Sequence, residues 1–303
     1  MGIWEAVLIT VITAATPLLI AGMGELVVEK SGVLNLGIEG MMAVGAACGF
    51  AVAILSGSTI LGILAAIGAG IALSAVFAFL VLGLAANQVA SGLALTILGL
   101  GLSGIVGAGF VGTNRDAVPA IFIPGLTSLP GGSLLFGQNP FVYASLAIAL
   151  GTLWFLSRSR AGLTLRSVGE SHVSAHALGL KVLKVRLMAI LFGGACAGLA
   201  GAYLSLVYTP FWSPGMTAGR GWIALALVVF ASWRPLRLLF GAYLFGGATV
   251  LQLHAQAASI GFPSQLLSAF PYVATILALV AMSAGRRSAT APGSLGTPFV
   301  PDR

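Results

Sequence analysis

Long, almost uninterrupted apolar runs dominate the chain. Runs of roughly 20 apolar residues are long enough to cross a bilayer core as an α-helix. Continuous runs, rather than short alternating segments, favour helices over a β-barrel. The pattern predicts an all-α, polytopic helical membrane protein with about eight to ten transmembrane helices. The apolar runs lie at about 4–23, 33–55, 59–83, 88–111, 140–157, 187–207, 221–232, 238–253 and 271–285.

The seventh run, GWIALALVVFASW, is too short to span a bilayer alone, which predicts a broken or partial helix. A glycine-marked segment leads into an apolar run in each half of the chain. These segments are SGVLNLGIEGMMAVG in the first half and SPGMTAGRGWIALAL in the second. Interrupted helices in corresponding positions of two halves are typical of transporters with a site near the membrane midplane. We therefore expect interrupted half-helices and a loose two-half repeat.

Composition excludes a soluble protein. The chain is 58% hydrophobic and 7% charged, whereas soluble domains contain about 25% charged residues. The 42 glycines fit a membrane protein because small residues let helices approach closely. Cys48 and Cys196, one in each half, are interpreted as small buried residues. No metal site is predicted, since no histidine or cysteine is spaced suitably near either of them.

The net charge of +7 is explained by membrane topology rather than by nucleic-acid binding. If the loop at 158–186 is cytoplasmic, twelve of the 14 basic residues lie on that side, and only Arg115 and Arg220 lie outside. This predicts an N-terminus outside and a C-terminus in the cytoplasm. Residues 1–286 then form a single transmembrane domain, and 287–303, rich in Pro, Ser, Gly and Thr, form a disordered cytoplasmic tail.

Asn35 and Glu39 lie within an apolar run, where a carboxylate costs several kcal/mol unless it is paired or hydrated. One interpretation is local: Asn35 caps a half-helix, and Glu39 lies in its first turn, where the helix dipole favours negative charge. The other is functional: both side chains face a solute path. An interrupted helix is compatible with both.

Four further residues are candidates for the same path. Asn87 and Ser91 open the fourth run, either as ordinary polar residues at a helix end or as lining of the path. Phe211 and Trp212 lie in YTPFWSPG. They belong either to an aromatic belt at the membrane surface or to a site that stacks against a flat solute.

The loop at 158–186 contains GESHVSAHALGL, in which small residues lie among basic flanks. We predict a short cytoplasmic helix that docks into a groove on a partner protein, with a plain basic loop as the alternative. The candidate docking residues are Gly169, Glu170, Ala175, Ala177 and Gly179.

The sequence contains no enzymatic motif in its required structural context. GLGLSG, residues 99–104, matches a dinucleotide-binding fingerprint, but it lies inside an apolar run and lacks the required strand–helix context. No Gly-Lys pair occurs, so the chain has no Walker A loop. No nucleophile is paired with a base. We expect no catalytic residue and no cofactor in this chain, so any ATP-driven step requires a separate ATPase chain.

Four segments carry a family resemblance: VEKSGVLNLGIEGMM, NQVASGLALTILGLGLSG, LRSVGESHVSAHALGL and GRGWIALALVVFASWRPLRLLFGAYLFGGA. They resemble the permease subunits of bacterial ABC importers in the branched-chain amino acid, simple sugar and nucleoside group, most nearly the nucleoside branch. The likeness covers about residues 15–285. It departs at Ser171 and His172, where that branch usually has Asn-Pro, and at Ser174, which interrupts a pair of alanines.

The resemblance implies the pathway subunit of an ATP-driven importer in the bacterial cytoplasmic (inner) membrane. Nucleosides are the implied cargo, with branched-chain amino acids or simple sugars as the alternative. A stand-alone secondary transporter or channel is the rival class. The implied partners are a second homologous permease chain, ABC ATPase subunits that carry ATP and Mg²⁺, an extracytoplasmic solute-binding protein, a small polar solute and membrane lipid. Glu170 and Gly179 would belong to the coupling helix, and Asn35 and Glu39 would lie beside the pathway.

Overall fold

The computed structural model describes residues 3–125, 127, 131–258, 263–283 and 291–300. Twelve α-helices occur among them, together with π-helical turns at Phe79–Gly83 and Leu204–Tyr208, which confirms the all-α prediction. The helices are α1 (Ile3–Lys30), α2 (Ile38–Ser56), α3 (Thr59–Ala78), α4 (Gln88–Gly107), α5 (Gly132–Phe136), α6 (Pro140–Arg158), α7 (Arg160–Glu170), α8 (His172–Ala177), α9 (Val182–Tyr203), α10 (Arg220–Phe230), α11 (Pro235–Ala257) and α12 (Ser264–Ser283).

Seven helices of the described chain are long and apolar enough to cross a membrane: α1, α2, α3, α4, α6, α9 and α11. Helix α12 contains a shorter apolar stretch. Helix α10 has only 11 residues and is therefore about 16 Å long, roughly half the thickness of a bilayer core. The predicted partial helix is present, and the predicted multi-pass helical membrane protein is confirmed.

Helices α2 and α9 are the most deeply buried spans, and they pack with α1 and α3 at the centre of the bundle. Glycines permit this packing. A Cβ placed on Gly45 of α2 would lie 2.6 Å from the Cα of Gly198 on α9. Such close backbone approach is the usual role of small residues in membrane helices.

Three basic residues lie together at one end of the bundle. Lys30, at the end of α1, lies close enough to Arg166 and Arg234 for electrostatic interaction. We call this the basic end. The backbone N–H of Arg115 bonds to the carbonyl of Pro210, and the Arg220 guanidinium lies over the Tyr208 ring, 5.0 Å from its centroid. Tyr208 ends the π-helical turn after α9 and so lies far from the basic end, whereas Arg220 begins the half-length α10, which ends near the basic end.

The expected disorder of the tail does not hold for residues 291–300, which pack against the basic end. The Ser294 N–H donates to the Gly169 carbonyl at 2.9 Å, and the Gly296 N–H donates to the Gly32 carbonyl at 3.2 Å. The Phe299 side chain is buried. A Gly/Pro/Ser-rich composition predicts disorder only where the backbone lacks partners, and here neighbouring carbonyls supply them. Residues 284–290 and 301–303 lie outside the described residues.

The Gly45 contact generates a stability prediction. Gly45→Val should destabilise the bundle by roughly 1–3 kcal/mol or more, because the added side chain forces α2 away from α9. The matched control is Gly68→Val on α3, where an added Cβ meets nothing within 4 Å. Thermal unfolding in detergent measures both. Equal unfolding midpoints for the two variants would contradict the packing described here.

Candidate functional site

Two interruptions of the helical chain meet at Glu39. One interruption, 31–37, separates α1 from α2, and the other, 209–219, precedes α10. The Glu39 side chain is only 4% exposed, and both of its carboxylate oxygens accept hydrogen bonds from the second interruption and the start of α10. Oε1 accepts from the Thr217 hydroxyl at 2.6 Å and the Gly219 N–H at 2.9 Å, and Oε2 accepts from the Gly221 N–H at 2.6 Å. We call this arrangement the Glu39 clamp.

The Glu39 clamp supplies the cap that α10 lacks. Its own N-cap residue is Gly219, which has no side chain that could bond to the first turn. The unpaired N–H groups and the positive end of the helix dipole favour a carboxylate at that position. Hydrogen bonds to a charged group contribute about 1.5–3 kcal/mol each, which offsets the cost of burying the charge. Gly221 makes room, because a Cβ there would lie 2.6 Å from the Cα of Glu39.

Asn35 stabilises the first interruption from within. Its side chain is fully buried, and Oδ1 accepts from the Gly37 N–H at 3.0 Å. Its Nδ2 donates to Oε2 of Glu25 at 3.4 Å, and its backbone N–H donates to Oε1 of Glu25 at 3.3 Å. Asn35 therefore bonds just before α2 rather than to its first turn, and it ties the 31–37 segment to a carboxylate of α1.

Glu25 and Glu29 are the buried acidic residues that our sequence analysis missed. One Glu29 oxygen, Oε2, accepts from the Trp233 indole N–H, and the other has no partner within the described residues. Trp233 and Ser232 form the turn after α10 with φ of +53°, a conformation that costs non-glycine residues about 1–3 kcal/mol each. The sequence signal was available: two carboxylates four positions apart share one face of an apolar helix.

Both ends of α10 are thus bonded to the consecutive helices α1 and α2. Glu39 of α2 holds its first turn, and Glu29 of α1 holds the strained turn that follows its last residue. Each attachment is a buried hydrogen bond to a carboxylate, so α10 is coupled to α1 at one end and to α2 at the other.

The polar residues at the start of α4 hold its first turn and its neighbours. Asn87 is the N-cap, and its Oδ1 accepts from the Ala90 N–H at 3.0 Å. Ser91 lies buried in the first turn of α4. The neighbouring Gln88, which we had not selected, is buried and accepts from the Leu34 N–H at 2.8 Å. It attaches α4 to the first interruption.

Phe211 and Trp212 have different environments. Phe211 is 41% exposed, whereas Trp212 is 2% exposed and packs against Gly107 of α4, where a Cβ would collide with the indole. Trp212 therefore does not belong to a surface aromatic belt. Its indole N–H has no acceptor within the described part of the chain. Trp212 lines a cavity of about 250 Å³ together with Ala43, Leu100, Ser103, Gly104, Pro214, Gly215, Met216 and Thr217.

The predicted docking helix corresponds to α7 and α8. Gly169 lies against the Lys30 carbonyl at the end of α1, and Ala175 is buried in a cluster with Phe299. Glu170, Ala177 and Gly179 are exposed. Two large apolar side chains that we did not select are also exposed, Val173 by 67% and Leu178 by 80%. The buried members therefore fix the helix pair, and the exposed members form a surface.

His172, which departs from the usual pattern of the resembling branch, is held by the tail and by Arg186. Its backbone N–H donates to the Ser294 hydroxyl at 3.0 Å, and its Nδ1 lies 3.2 Å from Arg186 Nη2. Arginine can only donate, so Nδ1 is the acceptor and the ring is neutral. Burial and the Arg186 charge lower the pKa of His172 below its usual value.

Interrupted helices in a multi-pass helical bundle are typical of membrane transport proteins. The chain belongs to the family described as "Branched-chain amino acid transport system / permease component", whose model matches residues 7–282. It is therefore the permease component of an ABC transporter.

The relatives carry different substrate names. A putative glucose ABC transporter permease protein of Haloferax volcanii is 44% identical, with 88% of each chain covered. The guanosine ABC transporter permease protein of Bacillus subtilis is 33% identical, covering 94% of this chain and 93% of the relative. A nucleoside ABC transporter permease protein of Lactococcus lactis is 29% identical, with 94% of each chain covered. No solved structure matches the chain.

The Glu29–Trp233 bond generates a prediction. Trp233→Phe should destabilise the protein by about 1–3 kcal/mol, because it leaves a buried carboxylate without its donor. Trp154→Phe is the matched control, since Trp154 is exposed on α6. Chemical unfolding in detergent micelles measures the difference. If Trp233→Phe is as stable as the control variant, Glu29 does not hold the turn.

Proposed function

We propose that this chain is the pathway subunit of an ATP-driven importer for a neutral, hydroxyl-bearing solute, either a sugar or a nucleoside. The observation that supports this class is the cavity beside the Glu39 clamp: no charged side chain occurs among the described residues that line it. A zwitterionic branched-chain amino acid would bring two charges that need compensation in such a site.

The cavity offers suitable polar groups for hydroxyls. Ser103 and Thr217 contribute side-chain hydroxyls, and the buried indole N–H of the lining residue Trp212 is a side-chain donor without an acceptor among the described residues. Both Glu39 oxygens are occupied by Thr217 and α10. We therefore assign Glu39 and Asn35 to positioning the cavity wall, and Trp212 to solute contact. The relatives named for glucose, guanosine and nucleosides support this solute class.

The permease would function in a complex with three kinds of partner chain. We propose pairing with a second homologous permease chain, ATPase subunits that bind ATP and Mg²⁺, and an extracytoplasmic solute-binding protein, in the cytoplasmic membrane. Membership of the ABC permease family supports this assembly. The basic end would face the cytoplasm, so the N-terminus would lie outside.

A route from the ATPase to the cavity follows from the contacts. The exposed surface of α8, with Val173 and Leu178, would receive the ATPase. Movement of α7 and α8 would press on α1 through Gly169, which lies against the Lys30 carbonyl. Helix α1 and the following α2 would then move α10 through the Glu29 and Glu39 bonds. Because Thr217 belongs to both the clamp and the cavity, the cavity wall would move with them.

The solute site is tested by Trp212→Phe, which keeps an aromatic ring on Gly107 and removes the N–H. We expect uptake of the preferred solute by the assembled importer to fall about five- to tenfold, the loss of one hydrogen bond. Trp154→Phe on the exposed face of α6 is the control and should retain uptake.

Glucose, guanosine and leucine, each as a radiolabelled solute, form the test panel. Uptake of glucose or guanosine that Trp212→Phe weakens supports the proposal and decides between sugar and nucleoside. Preferred uptake of leucine, or full uptake by Trp212→Phe, would contradict the assigned solute class or the assigned contact, respectively.

ATPase docking is tested by Leu178→Asp. A charge on this exposed apolar residue should abolish co-purification of the ATPase while leaving the permease folded, because docked apolar surface does not tolerate an unpaired carboxylate. Leu55→Asp, at the exposed end of α2 remote from α8, is the control. Undiminished co-purification with Leu178→Asp would remove α8 as the docking surface.

A further inference from the structure

A second cavity, larger than the one beside the Glu39 clamp, does not belong to the solute site. It has a volume of about 660 Å³ and lies between α6, α7 and α9, with Val27 of α1 contributing to its wall. Its lining is almost entirely apolar, and the single charged side chain among the described residues that line it is Lys184. We call it the α6–α9 groove.

The α6–α9 groove runs from the basic end into the membrane. Lys184 and Phe192 both line it and are eight residues apart on α9, which corresponds to about 12 Å along the helix. On α6 the lining extends from Phe155 back to Ile148. Both stretches lie within spans long enough to cross a bilayer. The depth therefore approaches that of one leaflet of the hydrocarbon core, about 15 Å.

The position of the groove favours a lipid acyl chain. Its apolar lining extends from the basic end into two helices that are long enough to cross a membrane. A water-soluble partner such as an ATPase would also have to enter the hydrocarbon region to reach Ile148 or Phe192.

Exposed basic residues lie at the groove or close in the chain to residues that line it. Lys184 is exposed there, and Ala161, which also lines the groove, follows the exposed Arg160. Arg158, at the end of α6, is exposed as well. Basic pockets between transmembrane helices at this side of a membrane bind anionic lipid headgroups. We propose that the α6–α9 groove binds one anionic phospholipid, with an acyl chain between α6 and α9 and its phosphate beside Lys184.

The test is native mass spectrometry of the purified full-length chain, titrated with phosphatidylglycerol or with phosphatidylcholine of the same acyl chains. We expect one phosphatidylglycerol to be retained preferentially. Gly151→Leu should remove it, because Gly151 lines the groove and an added Cβ there meets open space that the larger side chain fills. Gly68→Leu on α3 is the matched control, with equally open space outside the groove.

The Lys184→Ala variant tests the contribution of the lipid headgroup separately from that of the acyl chain, and it changes only an exposed residue. We expect the preference of this variant for phosphatidylglycerol over phosphatidylcholine to be about fivefold lower, the effect of one lysine near an anionic lipid surface. Equal retention of both lipids by the unaltered chain would overturn the proposal. Retention by Gly151→Leu that matches Gly68→Leu would overturn it too. Displacement of the bound lipid by soluble glycerol phosphate would also overturn it, because the site would then bind the phosphate without binding an acyl chain. This inference does not depend on which solute the importer carries.

Discussion

The hydrogen bonds between the Glu39 carboxylate and the first turn of α10 position the centre of this permease. A helix of 11 residues that begins inside a membrane cannot give its first N–H groups to bulk water. A carboxylate from another helix receives them instead, 180 residues away along the chain for Gly219. The cost of burying the charge and the cost of leaving the donors unpaired offset each other. Neither Glu39 nor the interrupted helix is stable in this environment without the other.

The same physical solution recurs at the other breaks of the chain. Glu25 accepts from Asn35 in the 31–37 interruption, and Glu29 accepts from Trp233 in the strained turn after α10. Three of the seven acidic residues thus stabilise irregular backbone inside the bundle. Because all three lie on α1 and α2, these two helices hold both the first interruption and both ends of α10. That connectivity is why we assign these residues to transmission of movement rather than to solute contact.

Much of the architecture could be predicted from the sequence, because the length of an apolar run directly limits whether a helix can span. The runs predicted the multi-pass bundle, and the short run at 221–232 predicted the half-length of α10. The partner of Glu39 could not be predicted, since backbone N–H groups leave no signature in a sequence. Trp212 is buried against Gly107, and residues 291–300 bond to the backbone at Gly169. Neither could be predicted, because each contact joins distant parts of the chain.

Hydrogen exchange at the start of α10 tests the clamp most directly. Mass spectrometry of deuterium uptake in detergent reports whether the amides of Gly219 and Gly221 are protected, as their bonds to Glu39 require. In Glu39→Gln the account predicts exchange of these two amides faster by tenfold or more, because one acceptor oxygen is replaced by a donor, while the amides of α9 keep their protection. Unchanged exchange at Gly219 and Gly221 in that variant would contradict the account.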